Sequence, residues 1–248
     1  MSDYNRDFAR TIPVDRADMS VDAGLRSFML GVYNKMALGL VLSAALAYLT
    51  SSVPVVRDMM FTVANGRVGY SILGMVVAFA PLGVLLFSGF ALKNQSPKTA
   101  SIVYWTVVSL IGASMGVLAL RYTGTSIAST FLITATAFGG LSLFGYSTKK
   151  DLSGMGSFLI MGVIGLLIAG LVNIFLQSSM MQFIISVLGV LIFAGLTAYD
   201  TQRLKMTYYE LGGNQAAMGV ATSYGALSLY LDFINMFQFL LALFGDRR

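Results

Sequence analysis

The strongest constraint on this chain is a succession of apolar runs, each about as long as a bilayer is thick. They cover roughly residues 27–49, 68–92, 101–120, 125–146, 156–177, 181–203 and 218–244. A helix rises about 1.5 Å per residue and the hydrocarbon core is about 30 Å thick, so about 20 apolar residues make one span. Lipid offers no hydrogen bonds to the backbone, which forces such runs to become helices. The expected architecture is an all-α integral membrane protein with about seven transmembrane helices joined mostly by short loops. Composition agrees: 56% of residues are hydrophobic and 11% charged, and the mean hydropathy is +0.77.

The division that follows is a polar tail over residues 1–26 and a seven-helix transmembrane domain over 27–248. The tail is mixed in charge, with Asp3, Arg6, Asp7, Arg10, Asp15, Arg16, Asp18, Asp22 and Arg26, and has no apolar core of the kind a secretory signal needs. Orientation follows from the basic residues. Ten fall on the tail side: Arg6, Arg10, Arg16, Arg26, Lys93, Lys98, Lys149, Lys150, Arg203 and Lys205. Five fall on the other: Arg57, Arg67, Arg121, Arg247 and Arg248. The N-terminus is therefore expected in the cytoplasm and the C-terminus outside. A net charge of +5 reflects this bias and not a nucleic-acid surface, because so few charges form no basic face.

Small residues recur at four-residue spacing, as in Gly39/Ser43, Gly112/Gly116 and Gly165/Ala169, which predicts close helix packing. Pro81 falls inside the second run, where it should kink a helix.

Two acids do not fit lipid contact or packing. Asp200 lies in Gly195-Leu-Thr-Ala-Tyr-Asp-Thr-Gln-Arg203, and Asp232 in Ser228-Leu-Tyr-Leu-Asp-Phe-Ile-Asn235. An ionisable group within a bilayer is expensive and points to function. The sixth span is expected to end just past Asp200. If the buried part of the seventh begins near Gly225, Asp232 lies about 10 Å in, so the two acids reach comparable depth in the cytoplasmic half. Ser228, Asp232 and Asn235 share one helix face, with Gly225 and Gln238 near its ends, and Thr197 and Arg203 lie three residues either side of Asp200.

The chain has no histidine and no cysteine. That excludes disulfides, thiolate or imidazole metal sites, and Ser-His or Cys-His catalysis. Two carboxylates held close in a poorly solvated site share one proton. Protonated, they form a latch; deprotonated, they repel and accept a cation. With oxygen ligands alone, the fitting ion is hard, calcium before zinc, held weakly by Asp200, Asp232, Ser228 and Asn235 and not as a resident cofactor. The plainer alternative has Asp200 capping the end of the sixth helix beside Arg203, and Asp232 paired with a buried lysine such as Lys35.

At Tyr199-Asp200-Thr201-Gln202, following Leu188-Gly-Val-Leu-Ile-Phe, and at Ala226-Leu-Ser-Leu-Tyr-Leu-Asp-Phe-Ile-Asn235, the sequence resembles the Bax-inhibitor family and its bacterial members. Lys149-Lys150-Asp151-Leu152-Ser153 and Asn173-Ile174-Phe175 add to the resemblance. It implies seven helices with the last enclosed by the other six, and a pH-sensitive calcium leak gated by a di-aspartyl pair at the positions of Asp200 and Asp232. It also implies a basic latch near the cytoplasmic end of the second helix. Lys93 stands there, where a related pattern has arginine; Arg203 competes for the role. A bacterial inner membrane is the implied location.

Two other classes remain to be weighed. A non-transporting regulator of a membrane-anchored ATP-dependent protease, or of stress and cell-death responses, could bind partners through the tail. An intramembrane aspartyl protease also carries one aspartate on each of two helices. That class, however, resembles Gly-x-Gly-Asp at its second acid, whereas this chain reads Tyr230-Leu-Asp232. The expectation is a protein that is not an enzyme.

Overall fold

The computed structural model describes residues 23–64, 67–91 and 96–248. Among them, seven helices are long and apolar enough to cross a membrane. Helix α1 (Ala23–Ser52) leads into the short α2 (Pro54–Met60) and a hairpin of β1 (Phe61–Ala64) and β2 (Arg67–Tyr70). Then come α3 (Ile72–Ala91), α4 (Pro97–Ser114), α5 (Gly116–Arg121) and α6 (Gly124–Ser147). Helices α7 (Ser153–Leu176), α8 (Ser179–Glu210) and α9 (Gln215–Phe244) complete the chain. Helices α4 and α5 together make one span, broken only at Met115. The first helix takes in residues 23–26 of the expected tail; residues 1–22 lie outside the described residues.

Two three-helix layers sandwich the last helix. One layer is α3, α4 and α1; the other is α7, α8 and α6. Between them α9 packs directly on α1, α4, α6 and α8. Its sequence explains the place: it is apolar nearly all round, and such a helix is stable only when enclosed. Leu229, Tyr230, Met236 and Leu241 on it are fully or almost fully buried. Helix α7, by contrast, turns Phe158, Leu167 and Phe175 outward, as a lipid-facing helix must.

Small residues set the seams, as predicted for two of the three pairs. A Cβ at Gly112 would lie 2.5 Å from the Cα of Ser43, and one at Gly116 would meet the Thr50 side chain. Gly39 likewise leaves room for Tyr104. The Gly165/Ala169 pair is different, since a Cβ at Gly165 would meet open space. Gly165 serves no close approach, whereas Ala169 packs against the core, so the two do not act together as a packing motif.

Three boundaries differ from those predicted. The run at 68–92 begins in β2, and α3 starts only at Ile72; Ala64 pairs with Arg67, and the sequence between them is Asn-Gly, a two-residue hairpin signal overlooked beside the stronger apolar signal. Helix α8 does not stop near Arg203 but runs on to Glu210. Its last turns stay helical because Leu204 and Lys205 find buried positions. Helix α9 then starts at Gln215, capped by the Asn214 side chain accepting from the Ala217 amide at 3.2 Å. Gly212 and Gly213, with φ of 53° and 85°, make the sharp reversal between them.

Candidate functional site: an acid pair on a seam between helices

The two motif helices run antiparallel, and their register brings the acids level. Arg203 on α8 donates from Nη2 to Ser228 Oγ on α9 at 3.1 Å. Leu204 packs where a Cβ at Gly225 would stand, and Phe239 where one at Gly189 would. With these pairs above and below, Asp200 and Asp232 share one level, and both line a cavity of about 360 Å³. Ser228, Asn235 and Arg203 line it with them. Tyr199, Leu231 and Phe239 do so as well, three residues whose apolar bodies hid them among the lipid-facing positions in the sequence.

The acids are treated unequally. Asp200 is 6% exposed, and its Oδ1 lies 3.2 Å from Arg203 Nη2. Asp232 is 4% exposed, and among the described residues its Oδ2 has no hydrogen-bond partner. An unpartnered buried carboxylate oxygen costs the full desolvation of that group unless a proton, water or cation reaches it. Asn235 donates through Nδ2 to the Leu231 carbonyl at 2.8 Å, which leaves its own carbonyl oxygen available. Among the described residues no three acidic groups converge. The oxygens present suit a weakly held, exchangeable hard cation better than a caged one.

The plainer alternative does not describe the geometry. Asp200 sits in mid-helix, far from the Glu210 end of α8, so it caps nothing. Lys35 does not reach Asp232: its Nζ donates to Ser101 at 2.9 Å and Ser223 at 2.8 Å and lies over the Tyr104 ring. Thr197 is fully buried and bonded back to the Phe193 carbonyl, so it belongs to the packed interior and not to the cavity wall. Gln238 faces a second cavity at the opposite end of α9. Arg203 and Lys205 belong to α8 and not to a loop; Lys205, 4% exposed, donates to the Tyr146 carbonyl at 2.9 Å. Lys93 lies outside the described residues.

The other motif residues hold the seam in place. Gln202 accepts from the Leu152 amide and donates to the Lys150 carbonyl, both at 2.8 Å, tying the α6–α7 connection to α8. Within that connection, hydrogen bonds from the Ser153 side chain and amide hold the Asp151 carboxyl below the ordinary aspartate range. Thr201 bonds Ser142 on α6 at 3.0 Å. The Tyr199 ring fills the space over Gly156 and carries the Arg203 guanidinium on its face, 5.6 Å from the centroid. Asn173 accepts from the Ser178 amide at 3.1 Å and donates to Gln182, fastening the α7–α8 turn.

A multi-pass helical membrane protein with a buried acid pair, one acid on its central helix and one on the neighbouring helix, is the class this geometry defines. Comparison with known proteins makes it particular. Residues 25–248 match the family described as inhibitor of apoptosis-promoting Bax1. A Caulobacter vibrioides protein of uncharacterized function is 69% identical over all of both chains. The Rickettsia prowazekii protein RP147 is 43% identical, covering 98% of this chain and 99% of its own. The Escherichia coli K12 inner membrane protein YbhL is 38% identical, covering 91% and 94%. The chain belongs to the Bax inhibitor family.

Proposed function

We propose that this protein is a proton-regulated, calcium-permeable leak across the cell membrane, with Asp200 and Asp232 as its shared proton and cation site. The observation that carries this reading is the inequality of the pair. Arg203 compensates Asp200, whereas Asp232, which lines the cavity, keeps a buried oxygen that has no partner among the described residues. A carboxyl in that position holds a proton while the path is closed. Two like charges at one level cannot both ionise without help, so losing the proton leaves the pair repelling and open to a divalent cation.

The sign is fixed by that chemistry: flux rises with pH. Arg203 is the counter-charge, placed to favour an ionised Asp200 and to hold α8 to α9 through Ser228. No step requires covalent chemistry, and among the described residues no glycine lines the cavity at Asp232. An N-terminus in the cytoplasm puts the acid pair toward the cytoplasmic side and the α9 C-terminus outside. The E. coli relative named as an inner membrane protein supports the same membrane for this chain.

Calcium uptake into proteoliposomes, followed across pH, tests the reading. The intact chain should pass calcium with a pH-dependent rate, and Asp232→Asn should flatten that dependence while the protein still folds. Unchanged pH dependence in the Asn variant would remove Asp232 from the mechanism.

A further inference from the structure

Three cavities lie in series along α8 and α9. The first, about 370 Å³, sits toward the α8–α9 turn and includes Leu85 of α3 in its wall. The second is the acid cavity, and the third is a vestibule of about 990 Å³ at the opposite end of the molecule. Each touches the next. The first and second share Arg203, Ser228 and Leu231. The second and third share Asn235 and Phe239.

The two partitions differ in chemistry. Between the first and second cavities stands the Arg203 guanidinium, bound to Asp200 and Ser228. Between the second and third stands the Phe239 ring. It stacks on Phe193 with centroids 6.0 Å apart and planes 28° from parallel. It lies so close to α8 that a Cβ at Gly189 would fall 2.5 Å from a ring carbon. The glycine is therefore the seat of the ring. Beside the ring, Asn235 lines both spaces, and with its Nδ2 donated to the Leu231 carbonyl its one carbonyl oxygen is left to act as a ligand. The vestibule beyond is mixed: Asn173, Gln182 and Gln238 stand in its wall among apolar side chains, and Arg121, Arg247 and Arg248 line it as well, so a cation entering there passes the amides and not the arginines.

We propose that the permeation path runs along the α8–α9 seam through these three cavities, and that the Phe239 ring, seated on Gly189, is its outer barrier. The proposal rests on the leak reading above and adds its outer half. An apolar ring across a narrow path whose few polar groups include Asp200, Asp232, Ser228 and Asn235 excludes water, and an ion without water or ligands does not pass. Swinging the ring off Gly189 would join the acid cavity to the vestibule, with Asn235 passing the ion from one to the other. The inner partition answers to charge and the outer one to the position of a side chain.

The chain has no cysteine, so one introduced thiol is unique. Ser228→Cys places it beyond the ring as seen from the vestibule. In sealed vesicles exposing only the vestibule side, a small cationic methanethiosulfonate should modify this thiol slowly. Adding Phe239→Ala should speed modification about tenfold, and Phe239→Leu, which keeps an apolar plug, should not. In proteoliposomes Phe239→Ala should raise calcium flux about tenfold at a pH where the intact chain is closed. Phe131→Ala is the control, since Phe131 packs on α9 at Phe233, away from the path. Modification and flux both unchanged in Phe239→Ala would overturn the barrier, as would an equal rise in Phe131→Ala. If the intact chain passes no calcium at any pH, the leak reading falls, while the modification rates still decide whether Phe239 divides the two cavities.

Discussion

Helix α9 has a charged group on each of its two sides, and the protein treats them in opposite ways. On the α1–α4 side, the half-buried Lys35 is tied down by two serine hydroxyls and lies over the Tyr104 ring, in a seam where Gly112 lets the helix backbones touch. On the α8 side, Asp232 lines a cavity with an oxygen left unpartnered. The cost of placing a charge in a membrane is similar in kind on both sides. Only where packing is left open and hydrogen bonding incomplete can a proton or ion come and go. The lysine side is a fastening; the aspartate side is a site.

That contrast can be tested by closing, discharging or neutralising each side. The largest effect should come from the closed seam. Gly112→Leu drives a side chain into the Ser43 backbone, which cannot move aside, and should destabilise the protein by about 3 kcal/mol or more, read as thermal unfolding in detergent. A variant of native stability would mean that α1 and α4 are not held as tightly as the comparison requires.

On the open side, Arg203→Gln should act on function before stability. Its guanidinium is about half exposed, so the loss in stability should stay below about 1 kcal/mol. A cation beside two carboxylates favours their ionised state. Removing it should therefore raise the pH of half-maximal calcium flux by about one unit. A midpoint that does not move would leave Arg203 a structural tie and return the counter-charge to another residue.

The smallest effect should follow Lys35→Met. A half-buried, hydrogen-bonded group replaced by an apolar one of similar shape is nearly neutral, so stability should change by less than about 1 kcal/mol. Ser223 keeps its bond to the Gly219 carbonyl, and the pH profile of flux should be unaltered. A lost pH response here would break the comparison, because it would make the lysine part of the switch.

Much of this was legible along the chain. Period and length marked all seven spans, since a bilayer imposes both on any helix that crosses it. The absence of histidine and the rarity of membrane acids singled out Asp200 and Asp232 before any fold was known. The Ser228–Asp232–Asn235 stripe also holds, because helical spacing alone puts those side chains on one face. Thr197 shows the limit of that reasoning: the same spacing put it beside Asp200, but its hydroxyl turns back onto its own helix. Gln202, Tyr199 and Phe239 act on groups more than thirty residues away, and although the motif marks the first two, nothing local says what they touch.

The sequence by itself determined a seven-span helical protein of this family with two acids that lipid contact does not explain, because hydropathy and side-chain chemistry are properties of the chain read in order. Tertiary structure decided the rest: where Lys35 is tied down, which aspartate finds an arginine, and which ring stands between the cavities. Those depend on the register of α8 against α9 and on where glycines let helices meet, and register is set by contacts between residues far apart in the chain.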